Sequence, residues 1–244
     1  MKHFFSVGLS VVFAISSLLG CGKKLGEDRL PRPSARIASA SQNFPGIMMI
    51  TNPKICTATL VGRYTLLTAA HCVNQANGPI TIQTPRGPQQ SSEFMVLGSG
   101  VEGDPYDLAL VYLPSPLLSE QEVLSMASGV NPGDNVLVVG YGCASSEALN
   151  SAGIKRLGSN MVSDVNEFIE VSTPGIQIKA VAGPENRAGV CFGDSGGPLL
   201  KQVGNRWMVV GVVHGAYNDG PGQVSQFVNL NDSHNRTFVS QYVR

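Results

Sequence analysis

The sequence predicts an all-β fold behind an N-terminal export segment. Three observations carry that prediction. From Ile37 onward the apolar residues come in short runs rich in Val, Ile, Leu, Thr and Tyr. Each run is bounded by Gly, Pro or Asn, as strands joined by turns are, and 28 Gly and 15 Pro supply the punctuation. Helical periodicity is confined to two places.

In chain order the strand-like runs are GIMMI (46–50), TATLVG (57–62), YTLLTA (64–69), LALVYL (108–113), NVLVVGYG (135–142), PLLKQV (198–203) and WMVVGVVHG (207–215). Many short strands with turns between them make a sandwich or a barrel. No internal repeat is present. LLSEQEVLSMAS (117–128) carries a weak helical face, and SHNRTFVSQYV (233–243) predicts a short C-terminal helix. The break at SGVNPGD (128–134) divides the β-rich part into halves of about 37–130 and 131–244.

At 244 residues the chain buries a substantial core in one or two domains, and 43% hydrophobic with 14% charged residues is a globular composition. Seventeen Lys and Arg balance seventeen Asp and Glu. Net charge therefore favours neither nucleic acid nor an acidic membrane surface, and partners have to be read from the site.

The first 20 residues read as a signal peptide. Lys2 and His3 precede an apolar or small stretch from Phe4 to Leu19, too short and wrongly flanked for a membrane-spanning helix. It ends in LLGC, Leu18 to Cys21, which resembles the bacterial lipobox, where the cysteine is lipidated and becomes the new N-terminus. The chain has five cysteines, an odd number for an exported protein; with Cys21 lipidated, the other four can pair. Residues 21–36 then form a lipidated cysteine and a charged, proline-bearing linker or propeptide, and 37–244 the folded domain. The protein is expected to be exported and membrane-anchored, on a periplasmic face or the cell surface, with release as a secreted enzyme open to it.

CFGDSGGPLL (191–200) places Ser195 between an aspartate and two glycines. Such a stretch is either a polar turn or the setting of a nucleophile. A serine hydroxyl needs a base within reach and a third group to hold that base. His3 lies in the signal, leaving His71, His214 and His234 as candidates. His71 ends an apolar strand, in LLTAAHC, as either a structural residue or the base. Cys56 and Cys72 bracket a hairpin with a turn at VGRY. A disulfide closing that loop of about 16 residues stabilises by roughly 3 kcal/mol on the chain-entropy model and fixes the backbone beside His71. Asp107, before LALVYL, either solvates a strand end or orients the imidazole.

Taken together, TAAHC, then DLAL, then GDSGGP, in that order, resemble the chymotrypsin-like (trypsin-fold) serine endopeptidases over about residues 37–244. The resemblance implies two six-stranded Greek-key β-barrels with the active site between them. It implies Ser195 as nucleophile, His71 as general base and acid, Asp107 as orienter, and the N–H groups of Gly193 and Ser195 as oxyanion hole. The same residues satisfy G-x-S-x-G, the elbow of α/β-hydrolases, but Pro198 and a β-like run follow where that fold needs a helix.

Further expectations follow from the resemblance. ARIASAS (35–41) is similar to an activation junction, with cleavage between Arg36 and Ile37 and pairing of the new Ile37 ammonium with Asp194. Ser39 and Ala40 stand where the family has a glycine pair, and Ala38 replaces a larger aliphatic. In the family fold the segments of Cys143 and Cys191 approach each other, which implies a Cys143–Cys191 disulfide. Where trypsin-like members carry an acid six positions before the serine, this chain has Gly189, so cleavage after Lys or Arg is not expected. Gly189, His214, Gly215 and Ala216 are the expected specificity-pocket residues. Three places are open to His214: behind Asp107, inside the pocket facing an acidic P1, or on the surface without a role.

Partners are then a protein or peptide substrate, an activating protease, and a membrane through Cys21 while uncleaved. The protein is expected to act as a monomer, with no cofactor, metal or nucleic acid. The alternative is a catalytically inactive trypsin-fold binding or scaffold protein.

Overall fold

The computed structural model describes residues 44–117, 122–144, 148–173, 188–219 and 222–244. Cys21, Arg36, Ile37 and the signal segment lie outside the described residues. The chain divides into Met1–Leu30 and Pro31–Arg244, and everything described belongs to the second unit.

Two antiparallel sheets form half-barrels, accompanied by one helix. The first contains β1 (Ile47–Asn52), β2 (Cys56–Leu60), β3 (Thr65–Thr68), β4 (Ile80–Thr84), β5 (Gly87–Ser91), β6 (Phe94–Val96) and β7 (Ala109–Tyr112), in the order β5-β4-β1-β2-β3-β7-β6. The second contains β8 (Asn135–Gly140), β9 (Arg156–Met161), β10 (Asp164–Val165), β11 (Phe168–Thr173), β12 (Pro198–Val203), β13 (Arg206–Asp219) and β14 (Gly222–Asn229), in the order β10-β11-β14-β13-β12-β8-β9.

Each sheet thus has seven segments rather than the expected six strands, and the reason is the same in both. The two edge segments of each sheet are neighbours in sequence: β5 and β6 are separated by Ser92 and Glu93, β9 and β10 by Val162 and Ser163. In both places one chain pass bends, leaves one edge and joins the other. At the first bend Tyr112 N–H donates to Glu93 O at 2.9 Å, and at the second Ser163 N–H donates to Glu170 O at 2.8 Å. A bend that carries a strand from edge to edge leaves few free edges for a second chain to pair with.

Burial explains which strands were visible as apolar runs. Every residue of β2, β3 and β7 is buried, because these strands are covered on both faces. In β4, β5, β9, β11 and β14 polar side chains interrupt the apolar ones, as in GPQQS of β5 and GQVSQFVN of β14, and no continuous run exists.

The helical face read at 117–128 is not a helix in the described residues 122–128. Leu124 N–H donates to Leu60 O, and Ala127 N–H to Val209 O, both at 2.9 Å. This connector satisfies its backbone by bridging the two sheets. At the C-terminus, α1 (Ser233–Tyr242) starts on Asp232, whose carboxylate accepts from the N–H groups of His234 and Asn235. Phe238 and Val239 of α1 pack into a core cluster with Leu66, Leu67 and Val111 of the first sheet. A helix that follows the second sheet thereby fastens the first, with Tyr112 Oη donating to Tyr242 O at 3.0 Å.

Candidate active site

The site assembles where the two sheets meet, and Thr57 of β2 is the hub. Its N–H donates to Ser195 O at 2.8 Å. Its hydroxyl donates to Gly193 O at 2.8 Å and accepts from Tyr141 N–H at 3.0 Å. One residue of the first sheet thus holds both the serine loop and the end of β8. Gly196 (φ +78°) makes the close approach possible, since a Cβ there would run into Thr68 Oγ1 and the Thr57 carbonyl.

His71 sits in a 3-10 turn, Ala70–Cys72, just beyond β3. The Cys56–Cys72 disulfide, with Cα atoms 6.2 Å apart, ties that turn to the start of β2. Gly100 (φ +71°) packs against the turn, where a Cβ would lie 2.5 Å from His71 N.

Asp107 is fully buried immediately before the apolar run into β7. Its Oδ1 accepts the His71 backbone N–H at 2.9 Å, and its Oδ2 lies 2.6 Å from His71 Nδ1 and 2.7 Å from His214 Nδ1. Burial by itself raises this carboxyl, but hydrogen bonds from His214 and His71, with the charge attraction of His71, overcome it and hold Asp107 down at about 2.

A depressed acid stabilises the fold while ionised. For Asp107 that contribution is complete above the ordinary carboxyl value of 3.8 and is lost as pH falls through about 2. The depression is worth about 2 kcal/mol. Urea midpoints of the wild type and of Asp107→Asn, followed from pH 6 to pH 2, should therefore converge below about pH 4. A constant gap across that range would contradict this account.

His214 stands behind Asp107, one of its three sequence-level alternatives. The pairing register of β13 with β14 shifts between Val213 and Gly215, and this bulge turns the His214 side chain toward the first sheet. His214 is 8% exposed, and its ring stacks on Phe168 with centroids 5.1 Å apart. Its Nε2 accepts from Gly103 N–H at 3.1 Å. His71, Asp107 and His214 offer donor atoms within 4.8 Å of one another, a spacing that a metal could use. Here the two Nδ1 atoms instead converge on a single carboxylate oxygen.

Ser195, half-buried, reaches this group through backbone. Besides its tie to Thr57, the next residue, Gly196, donates its N–H to Val213 O at 2.9 Å, beside His214. Among the described residues no hydrogen bond joins Ser195 Oγ to His71. Catalytic contacts are commonly long before substrate binds. Gly193 has φ +99°, and neither its N–H nor that of Ser195 has an acceptor among the described residues.

Asp194 is fully buried, with Oδ1 accepting from Gly142 N–H at 2.9 Å and Oδ2 from Cys191 N–H at 2.8 Å. A Cβ on Gly140 or Gly142 would collide with this carboxylate, which accounts for the glycines of GYG. Cys143 and Cys191 form a disulfide, Cα atoms 5.4 Å apart, and Cys143 N–H donates to Phe192 O at 3.0 Å.

A cleft of about 600 Å³ runs past His71, lined also by Gly100, Glu102, His214, Gly215 and Tyr217. Ala216 also lines this cleft, whereas Gly189 is buried outside the lining. Sequence reasoning missed Thr57, Gly100, Gly103 and Phe168. The one available signal was the glycine-rich run GSGVEGD (98–104) before Asp107.

The family model for trypsin matches residues 36–234. Mouse transmembrane protease serine 11C is 26% identical over 178 residues, covering 65% of this chain and 41% of that protein. Mouse transmembrane protease serine 11G is 25% identical over 209 residues, covering 74% and 49%. The chain spans about half the length of the curated relatives it matches. No helix among the described residues is long and apolar enough to cross a membrane. Among solved structures, a mutant of human heparin binding protein superimposes with a TM-score of 0.64 at 19% identity, over 82% of this chain and 92% of that one. A Glu endopeptidase does so at 0.60 and 19%, over 84% and 92%. At these identities the two structures speak for the fold alone, whereas the family match covers most of the sequence. The chain therefore belongs to the trypsin family of serine proteases.

Proposed function

We propose that the protein is an exported serine endopeptidase that cleaves peptide bonds through an acyl-enzyme. The observation that carries this reading is the Asp107 carboxylate, buried and shared by two imidazoles, beside a cleft and a serine loop whose Gly193 and Ser195 N–H groups have no acceptor among the described residues. Oδ2 of Asp107 keeps a proton on His71 Nδ1, so Nε2 presents its lone pair. His71 takes the Ser195 proton as Oγ attacks the scissile carbonyl. The imidazolium so formed is stabilised by Asp107 and returns the proton to the leaving amine. The N–H groups of Gly193 and Ser195 receive the developing oxyanion. Water then repeats the sequence on the acyl-enzyme.

Cleavage between Arg36 and Ile37 matures the enzyme, and the Ile37 ammonium joins Asp194. Lipidation at Cys21 anchors the precursor, so the activating cut also releases the domain, which acts as a monomer. Gly189 offers no charge to a P1 Lys or Arg. With His214 committed to Asp107, that histidine is not offered to an acidic P1 either, which favours a neutral one.

A fluorophosphonate probe should label the purified domain beginning at Ile37 and leave Ser195→Ala unlabelled. A peptide library should show cuts with one consistent P1 class, lost in the same variant. Absence of labelling in a folded, disulfide-bonded sample would move the assignment to a binding or scaffold role. Active enzyme whose N-terminus is not Ile37 would remove the activation step. Palmitate incorporation that survives Cys21→Ala would remove the anchor.

A further inference from the structure

We propose that His214 is a positioning residue through which the cleft-lining loop 98–104 acts on the reaction: Gly103 N–H sets the His214 tautomer, and that tautomer holds Asp107 in line with His71. The proposal rests on the protease reading above and adds a coupling between substrate contact and the buried carboxylate.

The geometry determines the proton's place. A backbone N–H can only donate, so the Gly103 contact at 3.1 Å requires a lone pair on His214 Nε2. The ring proton is then on Nδ1, where it faces Asp107 Oδ2 at 2.7 Å. With this donor in place, the carboxylate receives three N–H groups: the His71 backbone on Oδ1, and the His71 and His214 rings on Oδ2. Turning the carboxylate away from His71 would strain all three. With the opposite tautomer, the His214 Nδ1 lone pair would face Oδ2, and two acceptors at that distance repel. The tautomer therefore decides whether His214 pulls Asp107 into register or pushes it out. Phe168 stacks on the ring and holds its plane. A 180° flip within that plane would turn carbon atoms toward both Asp107 and Gly103 and lose both hydrogen bonds.

The loop that supplies Gly103 is built as a unit. Asp104 Oδ2 accepts from Ser99 N–H at 2.7 Å, Ser99 Oγ at 2.8 Å and Gly100 N–H at 3.1 Å, and its Oδ1 accepts from Tyr106 N–H at 2.9 Å. Asn74 Nδ2, three residues past His71, donates to Ser99 O at 2.7 Å. At Gly100 the loop rests on the His71 backbone, and at Gly103 it holds His214. Gly100, Glu102 and Gly103 also line the cleft, together with Gly215 and Tyr217. A peptide lying in the cleft presses on the element that orders both imidazoles, without touching Asp107.

The test is a histidine ¹⁵N measurement on the disulfide-bonded domain, joined to kinetics. The expected spectrum has His214 protonated on Nδ1, and Asp104→Ala, which loosens the loop, should shift it toward the Nε2-protonated form. His214→Phe should lower kcat about ten- to a hundred-fold, the loss expected for one hydrogen bond to a charged group, with KM for short substrates little changed. His214→Ser, whose hydroxyl can donate to Asp107 but cannot span to Gly103, should restore part of that kcat. On longer peptides that reach the loop it should keep a raised KM. His214 protonated on Nε2 in the wild type, or His214→Phe with unaltered kcat, would overturn the proposal. If the wild type cleaves nothing, the protease reading fails by itself, and the tautomer, measured without turnover, still decides whether the loop controls His214.

Discussion

Replacing Asp107 with Asn is expected to lower kcat by roughly 10⁴-fold at neutral pH, the size characteristic of losing the orienting acid in a Ser-His-Asp triad. The structure shows why neither orientation of the amide can substitute. Asp107 accepts three N–H groups and donates none. If the Asn NH₂ takes the place of Oδ2, it donates to His71 Nδ1 and forces the proton onto Nε2, where it blocks acceptance of the Ser195 proton. That orientation also confronts the His214 Nδ1–H, fixed by Gly103, with a second donor. If the amide turns the other way, its NH₂ meets the His71 backbone N–H instead. In both orientations the negative charge beside His71, which in the proposed mechanism stabilises its imidazolium, is gone. Steady-state kinetics with a peptide amide would register the effect mainly in kcat. A drop of less than about ten-fold would show that Asp107 does not orient the base.

Removing the Cys143–Cys191 disulfide by paired Ala substitution should lower stability by about 4 kcal/mol on the chain-entropy model. For a domain of this size that corresponds to a melting temperature about 10 °C lower. The bridge closes a separation of 48 residues, against 16 for Cys56–Cys72, and so constrains the unfolded chain more. Activity should fall further than the stability loss accounts for. The bridge joins the two segments whose N–H groups, from Gly142 and Cys191, hold the Asp194 carboxylate. It also stands two residues from Gly193, which has φ +99° and whose N–H belongs to the proposed oxyanion hole. Thermal melts and kcat measured well below the melting temperature would separate the two effects. A variant that loses stability but keeps full kcat would confine the disulfide to a structural role.

Much of the fold was legible because local sequence encodes it. The fully buried strands β2, β3 and β7 fall in the short β-prone runs read from the sequence, and α1 in the stretch SHNRTFVSQYV read as a helix. Strands interrupted by polar side chains, such as β5 and β14, carry no comparable contrast and were missed. LLSEQEVLSMAS has helical spacing, yet its described part bonds to Leu60 and Val209 instead. Carbonyls on two flanking sheets outcompete a weak local preference.

By itself the sequence determined the all-β class, the ordered motifs around His71, Asp107 and Ser195, and the uncharged position at Gly189. These are properties of neighbouring residues: backbone preference, periodicity, and the chemistry a short motif can support. Only the tertiary structure decided how each sheet bends from edge to edge and where His214 points. Its partners Asp107 and Gly103 lie 107 and 111 residues away in sequence, and its direction depends on a one-residue register shift in β13. A side chain's aim across such a distance is set by how two sheets pack, and no local pattern of residues records that.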